Sequence, residues 1–158
     1  LPVPNGDEIV KYINKIKGQF GYVIISQDWH PDDHCSFIDN GGQWPKHCVQ
    51  NTPGASFHSG LDINNINAIV RKAYKYDKDV YSAFSPISEV DIASYLKLHN
   101  VHSLSVCGLA TNYCVKATVL DALKYQFNTT VLLDGCRGIG NIEADIWEML
   151  DAGANIKR

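Results

Sequence analysis

The sequence predicts an α/β protein of three layers, with helices on both faces of a mainly parallel sheet, and three observations carry that expectation. From residue 68 onward, short β-branched runs alternate with helical periods of about 10–15 residues, the pattern of βαβ units with right-handed crossovers. Apolar residues make up 45% and charged residues 20% of the chain, with 12 Gly and 6 Pro, an ordinary globular composition that excludes disorder as the main state. The 158 residues are enough for one domain with its own core, and no linker, repeat or low-complexity run divides 1–158 into two.

Each element follows from a local pattern. Ile9, Val10, Ile13 and Ile16 recur at helical spacing, so a helix is expected from Asp7 to Lys17, stopping at Gly18. Tyr22–Ser26 is an apolar, β-rich run that reads as a buried strand ending near Asp28. From Trp29 to about Gly60 no period is sustained, and Pro31, Gly41, Gly42, Pro45, Pro53 and Gly54 punctuate the stretch. A loop of this length inside a compact domain is usually functional or disordered, and its aromatics, histidines and two cysteines favour function. Ala68–Lys72 reads as the next strand. Ser88 with Asp91 three positions on suggests a capping box opening a helix to Leu98. His102–Gly108 is then a strand, Asn112–Tyr125 a helix, Thr129–Leu133 a strand, and Asn141–Leu150 a helix closed by Gly153.

Charge and cysteine usage narrow the function classes. The net charge is −3 without a basic run, so no electrostatic footprint for nucleic acid is present. No stretch approaches the roughly 20 apolar residues of a membrane span, and Leu1–Asp7 is not a signal-peptide pattern. The five cysteines, Cys35, Cys48, Cys107, Cys114 and Cys136, are odd in number and form no C-x-x-C pair. At least one thiol is therefore free, and a reducing, cytoplasmic setting is expected.

In open α/β sheets ligands bind beyond the carboxyl ends of the strands, which directs attention to three places. Asp28 and His30 follow the first strand two residues apart, and alternate side chains of extended backbone point the same way. Carboxylate plus imidazole suits zinc, manganese or iron(II), with His34 or His47 as a third ligand. The same tripeptide also occurs on surfaces without a metal. Cys114 stands where a strand has ended and a helix begins, so helix amides would lower its pKa and stabilise an oxyanion, as a nucleophile requires. The alternative is a buried, inert thiol, the reading given to Cys107 and Cys136. Lys72 ends a strand, where it would stabilise negative charge or simply solvate a surface. Trp44 and Tyr81 would wall a ring-shaped ligand or fold onto the core.

Taken together, four strings resemble one family. Gln27–Phe37 (QDWHPDDHCSF), Gly42–Ala55 (GQWPKHCVQNTPGA), Tyr81–Phe84 (YSAF) and Gly108–Ala122 (GLATNYCVKATVLDA) are similar, in order and spacing, to the nicotinamidases, also called pyrazinamidases, of the isochorismatase-like cysteine hydrolases. The resemblance runs to Asp151–Ala154. It implies the isochorismatase-like hydrolase fold and the deamidation of nicotinamide to nicotinic acid and ammonia in NAD salvage, with pyrazinamide as a further small-molecule substrate. It implies Asp28, His30 and His47 as ligands of a divalent metal, zinc foremost with iron or manganese possible, and His34 and Ser36 as neighbours able to act as an extra ligand or through water. It implies Cys114 as nucleophile, Lys72 as the lysine of an Asp-Lys-Cys triad, and Ala110 and Cys114 as oxyanion-hole donors beside a cis peptide joining Leu109 to Ala110. Trp44 and Tyr81 would line the nicotinamide ring, and a homo-oligomer is possible. One departure stands out: the family's first β-strand, with its Asp-x-Gln-x-Asp-Phe motif and catalytic Asp, is absent, and Asp62, Asp77 and Asp134 do not replace it. That strand lies in mid-sheet, and its loss would expose two ladder edges, so the domain is expected to be N-terminally incomplete, with further residues upstream.

Overall fold

The computed structural model describes residues 1–158. Helix α1 (Glu8–Ile16) is followed by β1 (Ile24–Asp28), a long irregular segment, β2 (Ala68–Lys72) and α2 (Ile92–Leu98). Then come β3 (Ser103–Leu109), a π-helical turn (Thr111–Val115) continuing into α3 (Lys116–Lys124), β4 (Asn128–Arg137), α4 (Glu143–Asp151) and β5 (Asn155–Lys157). The α/β class and the parallel pairing are as the sequence predicts.

The strands form two ladders rather than one sheet. β1 pairs with β2, Ile24 opposite Ala68 and Asp28 opposite Lys72, while β3, β4 and β5 form a second parallel ladder. β1 and β3 are each paired on one side only. Between them lies a cleft of about 780 Å³, lined by the apolar face of α1 (Ile9, Val10, Ile13) and by Ile24, Ser26 and Ser105 of the two strands. Ser26 and Ser105 are exposed where their strands border the cleft.

Two clusters supply the core. Val70, Phe84, Ile92, Leu96, Ala122 and Phe127 join β2 and α2 to α3, and Val115, Val119, Val131, Cys136 and Met149 join α3, β4 and α4. α1 lies against β4, where Arg137 pairs with Glu8 at 2.8 Å and the Tyr12 ring approaches so closely that a Cβ at position 135 would sit 3.0 Å from it. A side chain there would have to push the Tyr12 ring and Cys107 aside.

Several boundaries differ from expectation for identifiable reasons. The cap of α2 is Asp91, whose carboxylate accepts from the Ser94 N–H at 3.1 Å, and not Ser88, whose hydroxyl is buried without a partner. The helix expected from Asn112 opens as a π turn, since Val115 N–H reaches the Ala110 carbonyl five residues back (3.2 Å). β4 runs on to Arg137, four residues beyond its apolar run, because β3 continues beside it to Leu109. β5 was not anticipated: three residues carry no detectable period. No helix is long and apolar enough to cross a membrane.

Candidate active site

The carboxyl ends of β1, β2 and β3 converge at one end of the cleft. Parallel register sets Asp28 beside Lys72, and the π turn after β3 brings Cys114 to the same lysine. Lys72 is 2% exposed; its Nζ donates to the Asp28 carboxylate and to Cys114 Sγ, the latter at 3.1 Å. Burial by itself would lower the lysine pKa, but Asp28 and Cys114 hold it above the ordinary value, so the ammonium is retained. A buried cation flanked by a carboxylate and a thiol is an arrangement able to hold a thiolate.

For Cys114 the expected lowering of the pKa is corrected. Burial raises it above the usual thiol value, and Lys72 together with the Ala110 backbone N–H only partly offsets this. Desolvation outweighs these two contributions because the thiol is largely enclosed by protein atoms. Gly108 has φ +133°, a conformation that L side chains rarely adopt, and the Leu109–Ala110 peptide is cis, as the resemblance implies. The Ala110 N–H is directed at the Cys114 sulfur. Burial pushes Cys107, which has no such partner, to about 11, and Cys136 to about 12 despite the Gly108 backbone N–H and the Arg137 charge.

Asp28, His30 and His47 come together with their candidate ligand atoms within 4.8 Å of one another. The two histidines arrive differently: His30 extends β1, and His47 is carried in by the irregular segment, which pairs back through His30 N–H to the Cys48 carbonyl (2.9 Å) and Gln50 N–H to the His30 carbonyl (2.8 Å). His30 Nδ1 faces the Ala73 carbonyl at 3.1 Å and His47 Nδ1 the Pro45 carbonyl at 2.7 Å. A carbonyl can only accept, so both Nδ1 atoms carry the proton and both Nε2 lone pairs are left for a metal. Burial lowers the His30 pKa to about 4, which favours the neutral, ligating form. This set of two imidazoles and one carboxylate fits a divalent ion.

His34 stands outside that group of three. It is fully buried, its Nδ1 accepts from the Ser36 N–H (3.2 Å) beside the Ser36 hydroxyl (2.7 Å), and its Nε2 must donate to the Lys78 carbonyl (3.1 Å). With both nitrogens engaged, His34 and Ser36 brace the fold of the loop, packed at 4.4 Å between ring centres on His30.

Trp44 and Tyr81 meet: the indole Nε1 donates to the Tyr81 hydroxyl at 2.9 Å. Sequence reasoning missed the third aromatic, Tyr113, whose ring lies 5.0 Å from Trp44 and 5.7 Å from Tyr81. Its place immediately before Cys114 was the available signal. Gln50 was missed too; its Nε2 donates to the carbonyls of Trp29 (2.8 Å) and Tyr74 (3.1 Å), tying the ligand loop to the strand ends.

Comparison with known proteins places the chain in a family. The isochorismatase domain model matches residues 2–156. The nicotinamidase of Escherichia coli (strain K12) is 37% identical, over 99% of this chain and 85% of that protein. Among solved structures, the pyrazinamidase of Pyrococcus horikoshii in complex with zinc is 41% identical with a TM-score of 0.92, covering 100% of this chain and 89% of that one. The PnC1 protein of L. infantum, in complex with nicotinate, is 36% identical with a TM-score of 0.95, covering 100% and 83%. The chain belongs to the isochorismatase domain family.

Proposed function

We propose that this protein is a nicotinamidase: a cysteine amidohydrolase that converts nicotinamide to nicotinic acid and ammonia and accepts pyrazinamide by the same chemistry. The observation that carries this reading is Lys72 Nζ, buried between the Asp28 carboxylate and Cys114 Sγ at the edge of the Asp28/His30/His47 set. The relatives named for nicotinamide and pyrazinamide deamidation support the substrate.

In this mechanism a carboxylate takes the Cys114 proton, the thiolate adds to the amide carbon, and the oxyanion is held by the Ala110 and Cys114 N–H groups. The proton returns to the departing ammonia, leaving a thioester that water hydrolyses to nicotinic acid. Lys72 stabilises negative charge throughout, and Trp44, Tyr81 and Tyr113 hold the ring. Asp28, His30 and His47 would hold a divalent metal, whose contribution is Lewis acidity. Zinc is the ion we assign on the strength of the pyrazinamidase relative in complex with zinc, since one carboxylate and two imidazoles would hold manganese or iron(II) as well.

The proton acceptor is a carboxylate other than Asp28, which touches Lys72 and belongs to the metal-ligand set. The unpaired edges of β1 and β3, and the cleft between them, support the reading that residues 1–158 belong to a single isochorismatase-like domain, incomplete at the N-terminus, whose sheet takes one more strand bearing the acid. A soluble, cooperatively melting 17.5 kDa species with no associated fragment would refute the added strand. Five unpaired cysteines fit a cytoplasmic enzyme, and a small molecule, not nucleic acid or membrane, is its partner.

The activity is tested by ammonia release from nicotinamide by the purified protein loaded with zinc. Turnover lost in Cys114→Ala supports the assignment; turnover retained in that variant rejects it.

A further inference from the structure

The turn that carries Cys114 has little holding it from the side. No side chain caps its N-terminus at Ala110, and the Thr111 hydroxyl is buried without a partner. Besides the Lys72–Cys114 contact, a single residue of the turn makes side-chain hydrogen bonds: Asn112. Its Nδ2 donates to the Ile139 carbonyl at 2.9 Å, and its Oδ1 accepts from the Ile139 N–H at 3.1 Å. Both backbone groups of one residue, 27 positions away, are thus taken by one amide. Only a side chain with a donor and an acceptor side by side can do this, which means an amide.

The partner segment is seated closely on the same turn. A Cβ at Gly138 would stand 3.1 Å from Asn112 Oδ1, 3.3 Å from Thr111 Cβ and 2.2 Å from the Ile142 side chain. One turn further on, Lys116 ties α3 to α4 through Asp145 (2.6 Å) and Glu148 (2.9 Å). The segment after β4 therefore abuts the nucleophile turn from behind, and Asn112 is where the two backbones are locked in register.

We propose that Asn112 is a positioning residue: its two-point clamp on Ile139 fixes the π turn so that the Cys114 thiol and the Ala110 and Cys114 amides keep their mutual placement. This rests on the reading of Cys114 as nucleophile. Asn112 touches no reacting atom, so its loss acts on the rate of the chemical step rather than on substrate capture.

The test compares Asn112→Ala and the isosteric Asn112→Asp with Lys116→Ala, which removes the neighbouring α3–α4 tether but leaves the turn alone. Zinc-loaded protein is assayed for kcat and KM with nicotinamide, for thermal melting, and for the rate of Cys114 alkylation by iodoacetamide. Asn112→Ala should lower kcat by about 10- to 100-fold, with KM within about threefold, the scale of a misplacement on the order of 1 Å. Asn112→Asp keeps the acceptor for the Ile139 N–H but sets a carboxylate against its carbonyl, and should lose kcat at least as severely while keeping the side-chain volume. Both should shift the alkylation rate, and Lys116→Ala should lower the melting temperature without either change. A kcat and alkylation rate within twofold of the parent in either Asn112 variant overturns the proposal, as does a kcat loss matched by Lys116→Ala at equal loss of melting temperature. If the parent itself releases no ammonia, the nicotinamidase reading fails and the alkylation rates alone decide the clamp. Should Asn112→Ala not fold, Asn112→Asp decides it.

Discussion

The metal-ligand loop and the nucleophile turn meet at the same lysine, yet they are built on different principles. Between Trp29 and Ala55 the chain has almost no regular structure, and its shape is held by polar contacts to backbone: Gln50 on Trp29 and Tyr74, Gln27 Nε2 on the Ala55 carbonyl at 2.6 Å, and the His34–Ser36–Lys78 arrangement. The turn at Cys114 instead continues β3 and leads into α3, with Val115 and Val119 buried in the core cluster directly beneath it. In the loop, ligand placement can be lost while the fold stays. At the turn, placement and stability are coupled, since the same helix fills the core.

Four substitutions probe that contrast. The largest effect is expected of Cys114→Ala, a loss of turnover on the order of 10⁴-fold or more with zinc content by elemental analysis unchanged. Loss of metal in that variant would show that the two regions are not separable. His47→Ala comes next. Removing one of three ligands should lower zinc affinity by at least about 100-fold, with the melting temperature of the metal-free protein unchanged because the side chain lies outside both core clusters. Full zinc occupancy in His47→Ala would reject that ligand. Val119→Ala, at a fully buried position, should cost about 2 kcal/mol in denaturant unfolding and leave zinc affinity untouched. The smallest effect is expected of Gln50→Ala. It leaves the Trp29 and Tyr74 carbonyls without their donor, and zinc affinity should fall about 10-fold while stability falls by about 1 kcal/mol. If Gln50→Ala unfolds the protein as readily as Val119→Ala, the loop is not held in the way described here.

What the sequence made legible follows the same division. β2 was readable to the residue, since Ala68–Lys72 is a compact β-branched run ending at a lysine. The neighbourhood of Cys114 was readable because Gly108 and the polar pair Thr111-Asn112 bracket the end of a strand. Side-chain partners 40 or more positions apart were not. That Lys72 would sit against Asp28 depends on the register of a parallel pair, and nothing in either five-residue run encodes it. Nor could spacing choose between His34 and His47, because the decision rests on which ring nitrogens meet backbone carbonyls. The direction of the Cys114 shift went the other way for a related reason: a helix N-terminus is visible in sequence, but depth of burial is not.

The central claim is that Cys114 forms a thioester with the nicotinoyl group. Acid quench of the zinc-loaded protein during turnover of nicotinamide, followed by peptide mass mapping, tests it most directly. The account predicts a nicotinoyl adduct confined to the Cys114 peptide, lost on incubation at neutral pH and never formed in Cys114→Ala. Steady ammonia release with Cys114 unmodified, or with the acyl group on another residue, would contradict it.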